Sequence, residues 1–326
     1  MRSVALPGTD LETSRLAFGS SALMARLGRR ESLRLLEVAH DSGITHIDTA
    51  RSYGYGEAES AVGEFLSRHR DGVTVATKLG MVPPRPSRAL RTAKSLARYA
   101  VRRVPALRPL VRRPAQSLGG SGCFEPDEAR TSLETSLREL GVETIDILLL
   151  HECRPRDLET EGLLAFLEDV VREGKVRYFG VGTDPDSTRT IVESRPEFAR
   201  VVQVADDAVD AILERLPISA GTAVVTHSAV RRQLPTLTAL MADEERRRGW
   251  SEALGLDCGR VETLGTLLLS YALQSNPNGP VLFSSASEDR IRANARLVER
   301  PVVSAEQVAV FTRLAREATA DGSRVA

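Results

Sequence analysis

Four residue types with complementary proton chemistry are spaced along this chain: Asp48, a tyrosine at 53 or 55, Lys78 and His151. A phenol ordinarily ionises near pH ~10, too high to give up and recover a proton efficiently at neutral pH. An ammonium beside it stabilises the phenolate, and a carboxylate paired with that ammonium keeps it charged and in place. Lowering the phenol by about two or three pKa units takes roughly 3–4 kcal/mol, so an acidified tyrosine is the expectation. A neutral imidazole can orient a carbonyl oxygen by hydrogen bonding. Together these groups suit protonation of a carbonyl oxygen while hydride reaches its carbon. No side chain donates hydride, so a nicotinamide has to supply it. Only three of the 44 basic residues are lysines (Lys78, Lys94 and Lys175), so abundance does not explain a lysine at such a position.

These side chains need a scaffold that delivers them to one place. Apolar runs of strand length occur at Gly43–Asp48, Val73–Lys78, Ile145–His151, Val176–Gly182, Arg200–Gln203 and Ala223–Thr226. Helix-period stretches lie at Glu31–Asp41, Glu57–Arg70, Pro126–Leu140, Glu161–Glu173, Pro185–Glu193 and Val261–Gln274. Such alternation predicts parallel strands covered by helices. An open dinucleotide-binding sheet would show G-x-G-x-x-G after a strand, and none is present. Instead Asp48, Lys78, His151 and Gln203 each end a different strand, which predicts an α/β fold of the (β/α)8 TIM barrel type, functional at the C-terminal face. Residues 4–12, alternating around Pro7-Gly8, predict an N-terminal β-hairpin closing the bottom.

One basic insertion, residues 81–124 after the third strand, interrupts the rhythm on the active-site face. Residues 81–122 hold ten arginines and lysines and no acid, leaving the rest of the chain at a formal −10. Steering of an anionic substrate or an acidic carrier protein is the corresponding expectation; a solvated surface loop is the plain alternative. Tyr99 is the only aromatic residue among its arginines, so no nucleic-acid partner is expected.

Over all 326 residues, 44 basic and 44 acidic groups balance, 42% of residues are hydrophobic and the composition is globular. No apolar run reaches the ~20 residues that span a bilayer, and the start shows no secretory pattern. Cys123, Cys153 and Cys258 lack metal-ligand spacing, so no metal is expected, and a reducing cytoplasm fits. One domain over 1–326 is the expectation.

The run from Gly43 to Gly63 (GITHIDTARSYGYGEAESAVG), the strand ending VATK at Lys78 and the strand IDILLLH ending at His151 resemble the aldo-keto reductases. The resemblance extends from the hairpin to about Asn294. It implies an eight-fold barrel using NAD(P)H, with Asp48, Tyr53, Lys78 and His151 as the catalytic tetrad; Tyr53 is preferred over Tyr55 by its spacing from the aspartate. It further implies cofactor contacts at Gly19 and Ser20 near the nicotinamide, at Gln203 on the carboxamide, and at Ser285, Arg290 and Asn294 on the adenosine phosphate. Gly182-Thr183 stands where the family usually has Ser-Asn, and His227 where an aromatic residue stacks on the nicotinamide. Arg290 favours NADP, with NAD the alternative. The implied activity is interconversion of an aldehyde or ketone with an alcohol. Alternatives are aldose 1-dehydrogenase-like sugar oxidation, which Gly182-Thr183 resembles, and a cofactor-binding regulatory subunit. His46, sharing strand parity with Asp48, reads as a satisfied core histidine, and Cys153 as an inert thiol.

Overall fold

The computed structural model describes residues 1–24, 27–81 and 122–323. The predicted basic segment therefore lies outside the described residues, apart from its ends. Those ends meet at the rim: Cys123 N–H donates to the Gly80 carbonyl at 2.8 Å. Gly80 has φ +110°, and a Cβ there would strike the Phe124 ring at 2.5 Å, so glycine is required at this junction.

Among the described residues there are ten strands. β1 (Ser3–Ala5) and β2 (Glu12–Ser14) pair antiparallel as the predicted hairpin. The other eight are β3 (Leu16–Gly19), β4 (His46–Asp48), β5 (Thr74–Leu79), β6 (Ile145–His151), β7 (Val176–Gly182), β8 (Val201–Ala205), β9 (Ala223–His227) and β10 (Val281–Phe283). They close a parallel barrel in the order β10-β3-β4-β5-β6-β7-β8-β9. α-Helices lie between successive barrel strands except β8 and β9, whose connection holds only the 3-10 turn Leu213–Arg215. They include α1 (Arg29–Asp41), α2 (Ala58–His69) and the helix Pro126–Leu140, whose Pro126 and first-turn acids Asp127 and Glu128 start it and whose left-handed Gly141 ends it. Strands buried on both faces tend to be apolar runs, which is why the centre of β6 reads Ile-Leu-Leu-Leu; its buried Asp146 is paired with Arg177 and accepts from Val75 N–H.

Two of the apolar clusters explain how the barrel is filled. Outward strand residues such as Val75, Leu148, Val181 and Val202 pack against the helices. Inside, Ala76, Ile147, Leu149, Val201, Ala223 and Val225 pack together with Leu6 and Leu11 of the hairpin turn. The hairpin thus plugs the bottom with side chains, and burying each of these leucines is worth about 2 kcal/mol.

That interior set also fixes which side chains reach the top. Side chains alternate along a strand with period two, so Ala76 inward places Lys78 inward. Leu149 does the same for His151, Val201 for Gln203 and Val225 for His227. Register aligns the ends: Gly19 pairs with Asp48, His151 with Gly182, Gly182 with Gln203, and Ala205 with His227. Among the described residues no helix is long and apolar enough to cross a membrane.

Candidate active site

Strand alternation and register bring Asp48, Lys78 and His151 to one layer at the C-terminal rim, and a short turn adds Tyr53. The Lys78 ammonium donates to both oxygens of Asp48, at 2.6 and 2.7 Å, and to the Thr49 carbonyl at 2.9 Å. Lys78 is 2% exposed and Asp48 1%, so the pair is held away from solvent. The same Nζ lies 5.0 Å from the Tyr53 ring centroid. His151 meets that ring edge-on, with centroids 5.9 Å apart at 84°. The four predicted residues therefore form one constellation around Tyr53.

Tyr53 comes from a one-turn 3-10 segment, Tyr53–Gly56, that leads into α2. Gly54, Tyr55 and Gly56 all have left-handed φ values, +60°, +61° and +88°. A Cβ on Gly54 would lie 2.9 Å from the Leu23 carbonyl. Glycine there lets the turn close against the loop after β3.

The electrostatics differ from the expectation in one respect. Burial pushes the Tyr53 phenol above its ordinary pKa; Lys78 pulls it down, Asp48 pushes it up, and the net direction is up. The predicted acidified phenol is thus reversed in this site, because burial, reinforced by the Asp48 carboxylate, outweighs the downward pull of the Lys78 ammonium. For Lys78 itself burial acts downward, but Asp48 and Tyr53 outweigh it, and the ammonium stands above its ordinary value. His151 is lowered to about 3 by burial and by Lys78, so its ring is neutral at pH 7. Its buried Nδ1 has no hydrogen-bond partner among the described residues. A proton on Nε2 leaves the cheaper orphan, a lone pair, at Nδ1, and makes Nε2 a hydrogen-bond donor.

The predicted cofactor residues divide into two groups. Gln203 donates from Nε2 to Asp48 at 2.8 Å, a contact the sequence did not suggest; its Oε1 remains as an acceptor beside Gly182. The Thr183 hydroxyl donates to the Cys153 carbonyl at 2.7 Å and keeps acceptor capacity. His227 is partly buried, is lowered to about 4 chiefly by burial, and meets Ser228 Oγ through Nδ1 at 2.9 Å. In contrast, the buried Ser20 hydroxyl donates to Thr49 Oγ1 at 2.8 Å. A Cβ on Gly19 would lie 2.7 Å from Ser284 Oγ, which itself donates to the Gly19 carbonyl at 2.9 Å. Ser285 Oγ accepts from Ser287 N–H at 3.1 Å and shapes the turn before the helix Glu288–Glu299. Gly19, Ser20 and Ser285 therefore serve the scaffold through these contacts. Arg290 is exposed in the first turn of that helix, and Asn294 is half-buried one turn on. Glu288 pairs with Arg34 and Arg292, which leaves Arg290 without an ion pair among the described residues.

The two residues read from the sequence as structural, His46 and Cys153, are both buried. His46 is fully buried inside the barrel as expected, but neither ring nitrogen has a hydrogen-bond partner among the described residues, so the expected hydrogen-bond satisfaction is not found there. Cys153 is buried, and its thiol is pushed up to about 12, mainly by burial, which agrees with an inert thiol.

Buried neutral histidines have a consequence for stability. An imidazole titrates near 6.5 when unfolded, whereas folded His46 and His151 titrate at about 4 and about 3. Unfolding takes up protons between those limits, so the stability is complete above pH ~6.5 and is lost as pH falls toward ~4. Up to about 3 kcal/mol per histidine is involved; partly exposed His227 contributes less. Asp206, raised by burial, opposes the trend in part. Urea midpoints are expected to fall steadily from pH 7 to 4.5, with a shallower slope in His46→Leu. A flat profile in the unsubstituted protein would contradict this.

The chain is thus a closed parallel barrel that carries a buried lysine–carboxylate pair beside a tyrosine at its C-terminal rim. Residues 15–205, more than half of the chain, match the Aldo/keto reductase family, and the chain belongs to that family. It is 33% identical over 165 residues to a D-threo-aldose 1-dehydrogenase from Pseudomonas sp, covering 49% of this chain and 46% of that relative. It is 24% identical over 325 residues to an NADH-specific methylglyoxal reductase from Escherichia coli strain K12, covering 90% and 92%. An aldo-keto reductase from Bacillus halodurans in its holo form superposes with a TM-score of 0.70 at 21% identity, over 96% of both chains. The match thus spans about half of the aldose dehydrogenase and nearly all of the methylglyoxal reductase.

Proposed function

We propose that this protein interconverts an aldehyde or ketone with an alcohol, using NADP, with Tyr53 as the group that gives or takes the proton. The observation that carries the proposal is the Lys78 ammonium, clamped by both oxygens of Asp48 and set against the Tyr53 ring. A bound nicotinamide supplies the hydride. Gln203 Oε1 and the Thr183 oxygen offer acceptors for its carboxamide, His227 a flat ring, and Arg290 with Asn294 the partners for an adenosine phosphate. The scaffold contacts of Gly19, Ser20 and Ser285 make these, through their backbones, the shapers of that surface.

Each residue has a distinct task in this reading. His151, neutral and donating from Nε2, holds the carbonyl oxygen toward Tyr53. Tyr53 passes its phenolic proton to that oxygen as negative charge develops there. Lys78 stabilises the phenolate left behind, and Asp48, itself fixed by Gln203, keeps the ammonium in place. The raised phenol keeps Tyr53 protonated through the neutral range, which suits carbonyl reduction.

Sugar oxidation is the second reading, favoured by Gly182-Thr183 at the rim and by the similarity to the D-threo-aldose 1-dehydrogenase. Nicotinamide absorbance against sugars, quinones and anionic aldehydes, with NADPH and NADH in parallel, tests both. Cofactor binding without turnover on any of them would instead support a regulatory subunit. Arg290 decides the cofactor in this reading: Arg290→Ala is expected to weaken NADPH binding by about ten- to a hundredfold, the worth of one charge-assisted hydrogen bond. NADH binding should be unchanged. Equal effects on both cofactors, or none, would remove Arg290 from phosphate recognition and leave NAD as the better assignment.

A further inference from the structure

Glu59 is a buried carboxylate with no part in the proton chemistry above. It lies in the first turn of α2 and is 1% exposed. Its Oε1 accepts from the Thr77 hydroxyl at 2.7 Å, and its Oε2 accepts from Arg51 Nη1 at 3.1 Å. Thr77 is the outward-facing neighbour of Lys78 on β5 and is fully buried. Arg51 lies between Asp48 and Tyr53 in the chain. One carboxylate thus bridges the strand that carries the ammonium and the loop that carries the phenol.

The loop needs such a bridge. Asp48 and Lys78 are fixed by paired strands, whereas Tyr53 depends on a turn with three consecutive left-handed residues. One of these is Tyr55, where an L side chain costs about 1–2 kcal/mol. Backbone bonds at the turn's two ends join it to the residues beside it: Tyr53 N–H to Ala50 O at 3.1 Å and Glu57 N–H to Gly54 O at 3.3 Å. We infer that Glu59 is a positioning residue of this site, holding the Tyr53 turn in register with Lys78 through Arg51 on one side and Thr77 on the other. Its catalytic consequence rests on the proposed role of Tyr53; the positioning does not.

The test uses the full-length protein with tyrosines labelled with 13C at Cζ, the Tyr53 resonance being identified by its loss in Tyr53→Phe. Tyr178, hydrogen-bonded to Asp10 at the opposite end, is the internal control. Two variants cut the bridge differently: Glu59→Gln removes the charge that holds Arg51, and Thr77→Val removes the strand contact without a change of shape. In both, Tyr53 is expected to shift its resonance, and the onset of its titration should fall toward the ordinary value near ~10 as water enters. Tyr178 should stay where it is. Turnover is expected to fall by about ten- to a hundredfold, the scale of an ångström-sized misplacement, with cofactor KM within about twofold. Thr77→Ser, which keeps the hydroxyl, should restore both readouts. An unchanged Tyr53 resonance and titration in Glu59→Gln and Thr77→Val would overturn the inference, whatever happens to melting temperature or turnover. If Glu59→Gln fails to fold, Thr77→Val decides alone. A shifted Tyr53 in a protein that reduces no carbonyl would uphold the positioning and overturn the redox reading.

Discussion

Tyr53→Phe is expected to lower turnover about a thousandfold while cofactor affinity stays within about threefold. General acid–base groups contribute roughly a hundred- to ten-thousandfold, and a thousandfold corresponds to about 4 kcal/mol of transition-state stabilisation. The substitution is clean in structural terms. Phenylalanine keeps the ring that packs edge-on against His151 and faces Lys78, so only the proton-bearing oxygen is lost. Stability should therefore change by no more than about 1 kcal/mol, the net worth of one hydrogen bond. Stopped-flow or steady-state nicotinamide absorbance gives turnover, and fluorescence titration gives cofactor affinity. The pH profile is a second check with a defined sign. Reduction needs the protonated phenol, which burial holds above its ordinary value, so its rate should stay flat across neutrality and decline only in the alkaline range. Turnover of Tyr53→Phe close to that of the unsubstituted protein would end the assignment.

Much of the barrel was legible because parallel strands buried on both faces leave uninterrupted apolar runs, and these recur between helix-period stretches. The runs at 145–151 and 176–182 were read to the residue. The eighth strand, Val281–Phe283, is only three residues long, too short to stand out as a pattern. The helices Leu234–Leu240 and Glu244–Leu254 were not predicted. The second begins Glu-Glu-Arg-Arg-Arg, and its buried face rests on Trp250 and Leu254 alone, which gives weak periodicity. These helices pack with Val261–Ser275 and the C-terminal helix around Trp250 and Phe311 in a separate cluster.

At the site, residue type and strand parity were enough to bring Asp48, Lys78, His151 and Gln203 to one layer. Hydrogen-bond partners were not legible. Gln203 reaching Asp48, Ser20 bonding Thr49 and Ser285 bonding within its own turn depend on distances across the barrel or within a single loop, which spacing does not encode. The sign of the Tyr53 shift escaped for a different reason: the types present suggested a cation acting on a phenol, whereas burial of that phenol, with Asp48 beside it, outweighs the cation. Glu59 was inconspicuous because an acid in the first turn of a helix is ordinarily explained by the helix dipole. Only its burial and its two partners distinguish it.

Lys78→Met should abolish turnover and also destabilise the fold, and the two effects can be separated. Removing the ammonium leaves Asp48 buried at 1% exposure with the Gln203 amide as its remaining side-chain donor. Breaking a buried pair from one side costs about 3–5 kcal/mol, most of it the penalty for the stranded charge. Urea denaturation at pH 7 measures that loss. Acidification should lessen it, since a carboxylate without its cation takes up a proton more readily in the folded protein than in the unfolded chain. The double variant Asp48→Asn with Lys78→Met removes both charges and should recover most of the stability. Turnover should remain at the single-variant level, because no cation is left to stabilise the phenolate. Recovered stability with absent turnover would separate the electrostatic role of the pair from its structural one. Turnover in Lys78→Met within about tenfold of the unsubstituted protein would show instead that Tyr53 gives up its proton without the ammonium, and the charge logic of the site would have to be abandoned.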